Sequence, residues 1–376
     1  MVNIAAKRER RFKPDYTLAF LVYLLVLIGA VMVFSASVVI SYQVSGGSTF
    51  YFTRQLLSIG IGTIIFLIAS RVNYNFWRKI APYLFALNIL LLIMVFVPGI
   101  GLGHGGANRW INLGIFTFQP TETLKLSTTI FLAYFFEKIG KDIKGLLTGL
   151  APFLVILGII SFLVMKQPDM GTFIVTAMIA VGMFFVAGAN MAHVSSLGLL
   201  GLGGLGLLIK SASYRMARFM VFLNPGADAG GSGYHINQAL LAIGTGGLFG
   251  LGFGQSRQKY QYLPEAATDS IFAVMTEELG FIFSSIVVLV FVGLSYRVFK
   301  LARSAPDTFS RLLATGVGIW VLAQTFLNIA AMMSLVPLTG VPLPFISYGG
   351  SSIMFLLLAF GILINISRYS VVKERR

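Results

Sequence analysis

Residues 263–293 read LPEAATDSIFAVMTEELGFIFSSIVVLVFVG. From Ile271 onward the run is apolar for longer than the roughly 20 residues a helix needs to cross a bilayer. That reading decides the fold class, because it makes this stretch a membrane span. It also raises a question. Glu265 and Asp269 stand at the mouth of the span, and Glu277 and Glu278 lie inside it. Carboxylates at that depth are costly, so each needs a partner or a task.

The rest of the chain agrees with a membrane reading. Of its 376 residues, 57% are hydrophobic and 11% charged, against about 25% charged in an ordinary soluble domain. Apolar runs recur at about 16–36, 55–70, 80–98, 121–136, 148–165, 171–188, 191–209, 271–296, 312–335 and 351–367. The expected fold is an all-α polytopic protein of ten transmembrane helices, one integral-membrane domain over 1–376, with no soluble domain. The first apolar run, from Thr17 to about Val33, follows a basic head but exceeds the length of a signal-peptide core, so it reads as a retained span. With no cysteine, disulfides and thiolate metal sites are excluded. The three histidines, His104, His193 and His235, lack the HExxH spacing of a zinc site.

The net charge of +15 is explained by orientation. With the N-terminus in the cytoplasm, the cytoplasmic segments hold Lys7, Arg8, Arg10, Arg11 and Lys13; Arg71, Arg78 and Lys79; Lys138, Lys141 and Lys144; Arg297, Lys300, Arg303 and Arg311; and Arg368, Lys373, Arg375 and Arg376. These are 19 of the 28 Lys and Arg residues, the pattern of a membrane topology signal and not of a nucleic-acid surface. Three loops then face outward: 99–120, 210–270 (the large one, between helices 7 and 8) and 336–350. The stretch INQALLAIGTGGLFGLGFG, 236–254, would invert the basic 297–311 loop if it crossed. It therefore reads as an interfacial or re-entrant element of the outer face.

Polar residues gather in the outer loops. In the first, Arg109 beside Trp110 suits either a snorkelling side chain with an aromatic belt or a functional cation. Pro120 opens a helix on which Glu122 and Lys125 share a face and can pair. In KQPDMGT, 166–172, Asp169 suits a capped turn. The long loop carries Lys210, Arg215, Arg218, Arg257 and Lys259 with Asp228, Glu265 and Asp269, and basic side chains there suit a phosphate-bearing headgroup or ordinary anionic lipid. Asp269 reads equally as the N-cap of span eight and as a general base open to outer water. On a continuous helix Glu277 lies about 12 Å deeper and Glu278 on the side opposite Asp269. One of the two is expected to pair with Lys125 or an outer Arg. The loop SLVPLTGVPLPFISYGGSS, 334–352, reads as a rigid, re-entrant hairpin lining a cavity.

Taken in order, NRWINLG with QPTETLK, KQPDMGT, GYHINQALLAIGTGGLFGLGFGQSRQKYQYLPEAATDSIFAVMTEELGF and PLTGVPLPFISYGGSS resemble the SEDS family of bacterial membrane proteins, FtsW, RodA and SpoVE, over essentially the whole chain. The departures are small: QPTE for the usual QPSE, Ala267 where the family often has histidine, and Ser270 where it often has phenylalanine. PEAATD, TEELGF and LLVLIGAVMVFSAS look more like the division-type FtsW; GVPLPFISYGG leans toward the elongation-type RodA.

The resemblance implies a peptidoglycan glycosyltransferase that polymerises lipid II at the outer face of the cytoplasmic membrane during cell division. The alternatives are a RodA-like elongation polymerase, a lipid II flippase or transporter, and a non-enzymatic scaffold. Asp269 matches the family's catalytic acid position. Arg109, Lys125, Arg215 and Arg218 are candidates for the diphosphate, with Glu265, Lys259 and Ser347 as further substrate-binding candidates. Glu122, Asp169, Glu277 and Glu278 are given structural, pairing roles. No cofactor is required by the sequence; a divalent cation, Mg or Mn, would be an optional aid. The implied partners are lipid II, a class B penicillin-binding protein transpeptidase of the FtsI type and other divisome membrane proteins, at the division septum of the inner membrane, with no nucleic acid.

Overall fold

The computed structural model describes residues 13–99, 101–104, 107–112, 117–224 and 231–370. Asp228 and the terminal Lys7, Arg8, Arg10, Arg11, Lys373, Arg375 and Arg376 lie outside them. In chain order the helices are α1 (Tyr16–Ala36), α2 (Val38–Ser45), α3 (Phe50–Arg71), α4 (Tyr74–Met94), α5 (Pro120–Ile139), α6 (Ala151–Lys166), α7 (Met170–Val186), α8 (Met191–Lys210), α9 (Ser213–Leu223), α10 (Ser232–Gly246), α11 (Ile271–Arg303), α12 (Thr308–Met332) and α13 (Gly350–Ser367). Among the described residues, eight helical segments are long and apolar enough to cross a membrane: α1, α3, α4, Leu146–Lys166, α8, α11, α12 and α13. The other two expected span positions are also helical. α7 is apolar but has only 17 residues, and α5 opens on the polar run TETLKLSTT.

One departure from an all-helical chain stands in the first outer loop. There β1 (Gly101–His104), β2 (Ala107–Asn112) and β3 (Thr117–Phe118) form a small antiparallel sheet in the order β1-β2-β3. It leads directly into Pro120 at the first turn of α5, where a missing N–H costs nothing.

The centre of the bundle is α12, enclosed by α5, α7 and α11, while α13 packs along α3. At the end rich in basic loops, Asp15 caps α1 and is held by Arg297 at 2.8 Å. Nearby, Arg78 joins Glu137 and Asp307. The candidate site is at the opposite end.

Two chain segments dip into the bundle there. A Cβ on Gly29 of α1 would lie 2.3 Å from the carbonyl oxygen of Phe345, so the 334–349 loop presses against α1 about two turns below its outer end. The second is the glycine-rich strand of chain after α10. At Gly280, α11 is broken, with φ 80° and ψ 176°, a conformation open to glycine. The backbone groups near the break are met by that segment: Leu251 N donates to Glu277 O (2.9 Å), Gly252 N to Glu278 O (3.0 Å), and Phe281 N to Gly247 O (2.9 Å). Backbone at this depth is tolerated only where protein satisfies it.

The break corrects the reading of span eight. Residues 271–278 are buried in protein, and exposed apolar side chains begin at Phe281 and recur at Ile282, Ile286, Leu289 and Val292. The stretch from Phe281 to Arg303 extends about 34 Å, by itself enough to cross a bilayer.

Candidate active site

The segment 263–270 forms a tight turn ahead of α11. Thr268 N and Ser270 N both donate to Glu265 O at 3.1 Å, with Glu265 in the left-handed region at φ 52°. Ser270, not Asp269, is the N-cap of α11, and no side chain caps the helix there. The expected N-cap role of Asp269 is thus replaced by a position one residue earlier, on the turn itself.

Four contacts fix this turn from outside. Ser347 Oγ donates to Thr268 O (2.6 Å) while accepting from Leu343 N (2.8 Å). Tyr348 N donates to Ala267 O at 2.9 Å. Asn328 of α12 spends its side-chain Nδ2 on Asp269 O (2.7 Å) and Val341 O (2.8 Å). His235 of α10 lies 2.7 Å from Ser270 Oγ. The turn around Asp269 is therefore held from several sides, with Asn328 on the Asp269 carbonyl itself, whereas its carboxylate is not: among the described residues no hydrogen bond reaches either oxygen. One oxygen faces Gly340, where an added Cβ would stand 3.4 Å away, and the side chain keeps part of its surface open.

The carboxylate sits among charges of both signs. Burial and then the nearby Glu265 push its pKa up to about 7, Arg218 opposes them, Asp169 raises it further and Arg109 lowers it. Arg218 is anchored through Leu338 O at 3.3 Å. Arg109 reaches Gln167 O (2.9 Å) and Pro168 O (2.6 Å), which seats it on the turn before α7. Asp169 caps that helix by accepting from Thr172 N (3.0 Å) and Thr172 Oγ1 (2.8 Å). Three loops far apart in sequence thus bring Arg109, Asp169, Arg218, Glu265 and Asp269 together. A carboxylate poised near 7 can take a proton from a hydroxyl, and the two guanidiniums whose charge reaches it can neutralise an anion formed close by.

Other candidates are placed elsewhere. Lys125 is buried and bound to Glu122 (2.8 Å) and Gln324 (3.0 Å), over the Trp320 ring; the pairing with Glu122 is as expected, and the lysine is enclosed by protein. Lys259, also expected to meet substrate, is buried against Glu278 at 2.8 Å, Ser35 at 3.0 Å and Gly254 O at 2.6 Å. Glu278 therefore pairs with Lys259, not with Lys125 or an outer Arg. Glu277 takes Ser256 Oγ (2.5 Å) and Arg257 N (3.1 Å). Arg215 of α9 turns back to the end of α8, bonded to Leu208 O and Ser211 and to its neighbour Tyr214. Ser347 is buried and its hydroxyl is occupied in bracing the turn. Among the described residues no three His, Asp or Glu side chains gather as metal ligands would.

Sequence reasoning missed two braces. Asn328 is an amide in an apolar helix, a signal that an intramembrane polar side chain has a job. His235 enters the sequence reading only as a histidine without zinc-site spacing and inside the GYHINQ motif.

The family comparison decides the class. The sequence profile of the "Cell cycle protein" family, FtsW/RodA/SpoVE, matches residues 16–371. The chain belongs to this family. It is 43% identical to stage V sporulation protein E of Bacillus subtilis (strain 168), over 96% of this chain and 99% of that one. It is 39% identical to the probable peptidoglycan glycosyltransferase FtsW of Geobacter sp. (strain M18), over 94% and 96%. Among solved structures, this FtsW/RodA/SpoVE member superposes on a chain of a peptidoglycan synthase complex with a TM-score of 0.77 at 27% identity, covering 94% of this chain and 98% of that one. The rod shape determining protein RodA of Thermus thermophilus gives 0.69 at 26% identity, covering 94% and 97%.

Proposed function

We propose that this protein is a peptidoglycan glycosyltransferase that joins lipid II units into glycan strands at the outer face of the cytoplasmic membrane, with Asp269 as the base. The observation that carries the assignment of the base is the contrast at Asp269: a turn braced by four contacts and a carboxylate that, among the described residues, has no hydrogen bond, held near neutrality within the electrostatic reach of Arg218 and Arg109. In the reaction, Asp269 takes the proton from the 4-hydroxyl of the acceptor N-acetylglucosamine. That oxygen bonds to the anomeric carbon of the donor N-acetylmuramic acid. The bond to undecaprenyl diphosphate breaks, and the diphosphate leaves with the electron pair. Arg218 and Arg109 are placed to neutralise it. A diphosphate needs no proton to leave, so one carboxylate suffices. Glu265 tunes Asp269 by its charge.

The relatives named FtsW support a division role at the septum, and the likeness to a synthase complex supports a penicillin-binding transpeptidase as partner. A precursor transporter would instead use intramembrane charges as a path; here Glu122–Lys125 and Glu278–Lys259 are paired and buried. The test is purified protein with its transpeptidase partner and labelled lipid II. Glycan polymer is expected from the natural sequence and none from Asp269→Ala. Undiminished polymer from that variant would sink the base assignment, and lipid II crossing liposomes without polymer would favour transport.

A further inference from the structure

α10 lies against the first turns of α11, and one of its side chains reaches the turn that carries Asp269. His235 Nε2 is 2.7 Å from Ser270 Oγ, and Ser270 Oγ is 2.9 Å from Pro264 O. The proline carbonyl can only accept, so the single serine proton goes there, and the imidazole must donate its Nε2–H to the serine oxygen. Burial, followed by the charge of Arg218, pushes the His235 pKa down to about 4, so at neutral pH the ring is uncharged and has one proton to give. Ser270 is fully buried, follows Asp269 directly and is the residue from which α11 starts. Pro264 and Ser270 are the two ends of the segment holding Glu265, Thr268 and Asp269. The two hydrogen bonds therefore close that segment and tie it to α10.

We infer that His235 is a positioning residue of the transfer reaction, which acts through Ser270 to hold the turn bearing Asp269 and does not itself meet substrate. The inference rests on the reading of Asp269 as the base.

The test compares His235→Ala, Ser270→Ala, the double variant and His235→Gln in lipid II polymerisation, with Asp269→Asn in parallel. A neutral hydrogen bond is worth up to about 1.4 kcal/mol, or roughly tenfold. His235→Ala is expected to lower kcat by about that factor with KM within about twofold. His235→Gln, whose amide N–H reaches the same place, should recover most of the loss. The double variant should be no worse than the poorer single one, because both remove one link. Hydrogen exchange gives a readout that needs no activity: the Thr268 and Ser270 amides, both bonded to Glu265 O, should exchange faster in His235→Ala while α12 amides stay protected. If His235→Ala does not fold, Ser270→Ala carries the same comparison. A raised KM at unchanged kcat, a failed glutamine rescue or losses that multiply in the double variant would overturn the inference. Polymer retained in Asp269→Asn would instead overturn the base assignment, and the exchange result would still stand or fall alone.

Discussion

Two pairs of acids lie close together around the start of α11, and the protein treats them in opposite ways. Glu277 and Glu278 are saturated. Their oxygens take Ser35, Ser256, Lys259 and the backbone N–H groups of Ser256, Arg257 and Gln258, and their own carbonyls pair with the glycine-rich segment. Among the described residues Asp269 receives no hydrogen bond on its carboxylate, while its peptide is bound by Asn328 and its neighbours by Ser347, Tyr348 and His235. Glu265 is intermediate: its carbonyl closes the turn and, among the described residues, its carboxylate takes only Thr268. The difference teaches how to tell a structural acid from a reacting one in this family member. The structural acids have satisfied side chains in a place that demands it. The proposed reacting acid sits on a braced turn and, among the described residues, has no hydrogen bond on its side chain.

The contrast is broken most severely at Asp269. Asp269→Asn keeps the volume and removes the base, and general-base catalysis is commonly worth about 100- to 10,000-fold. Loss of polymerisation in that range, with an unchanged melting temperature in detergent, is expected; a lowered melting temperature would make Asp269 structural after all. Lys259→Met should do the reverse. It leaves Glu278 buried without its cation, and breaking a buried pair costs about 3–5 kcal/mol. A large drop in the thermal midpoint is expected, and a stable protein that has lost only activity would show that Lys259 belongs to the substrate site.

Much of this was legible in the sequence. Apolar run lengths located ten helices, the Glu122–Lys125 spacing foretold their contact, and the 334–352 prolines foretold a segment that dips into the bundle. What misled was the assumption of an unbroken span eight. Gly280 is one glycine in an apolar run, and nothing local says that φ will be 80° there; the break exists because the 246–252 backbone is present to pair with it. The partner of Glu278 followed from the same error, since Lys259 approaches through that pairing. At the site, Arg109 and Arg218 were candidates by charge, but the burial of Lys125 and Lys259 in ion pairs and the turn of Arg215 toward the end of α8 arise only when the segments are brought together.

The smallest effects sharpen the account of Asp269's charge. A base must be ionised, so polymerisation should rise with pH through the region of its pKa, about 7, and fall away below it. Glu265 raises that pKa by repelling the ionised form, and Arg218 lowers it by attraction. Removing each charge should therefore move the acid limb of the kcat profile in opposite directions. Arg218→Gln shifts it to higher pH and also weakens the reaction at its plateau, because the leaving diphosphate loses a guanidinium. Glu265→Gln shifts it to lower pH and leaves the plateau close to that of the natural sequence. Profiles measured between about pH 5 and 9, where each pH unit is roughly tenfold in proton activity and about 1.36 kcal/mol for a group that titrates, separate these outcomes. If both variants moved the limb the same way, the shift would come from a rearranged turn and not from charge. In that case the turn's braces, and not its neighbours' electrostatics, would set the poise of Asp269.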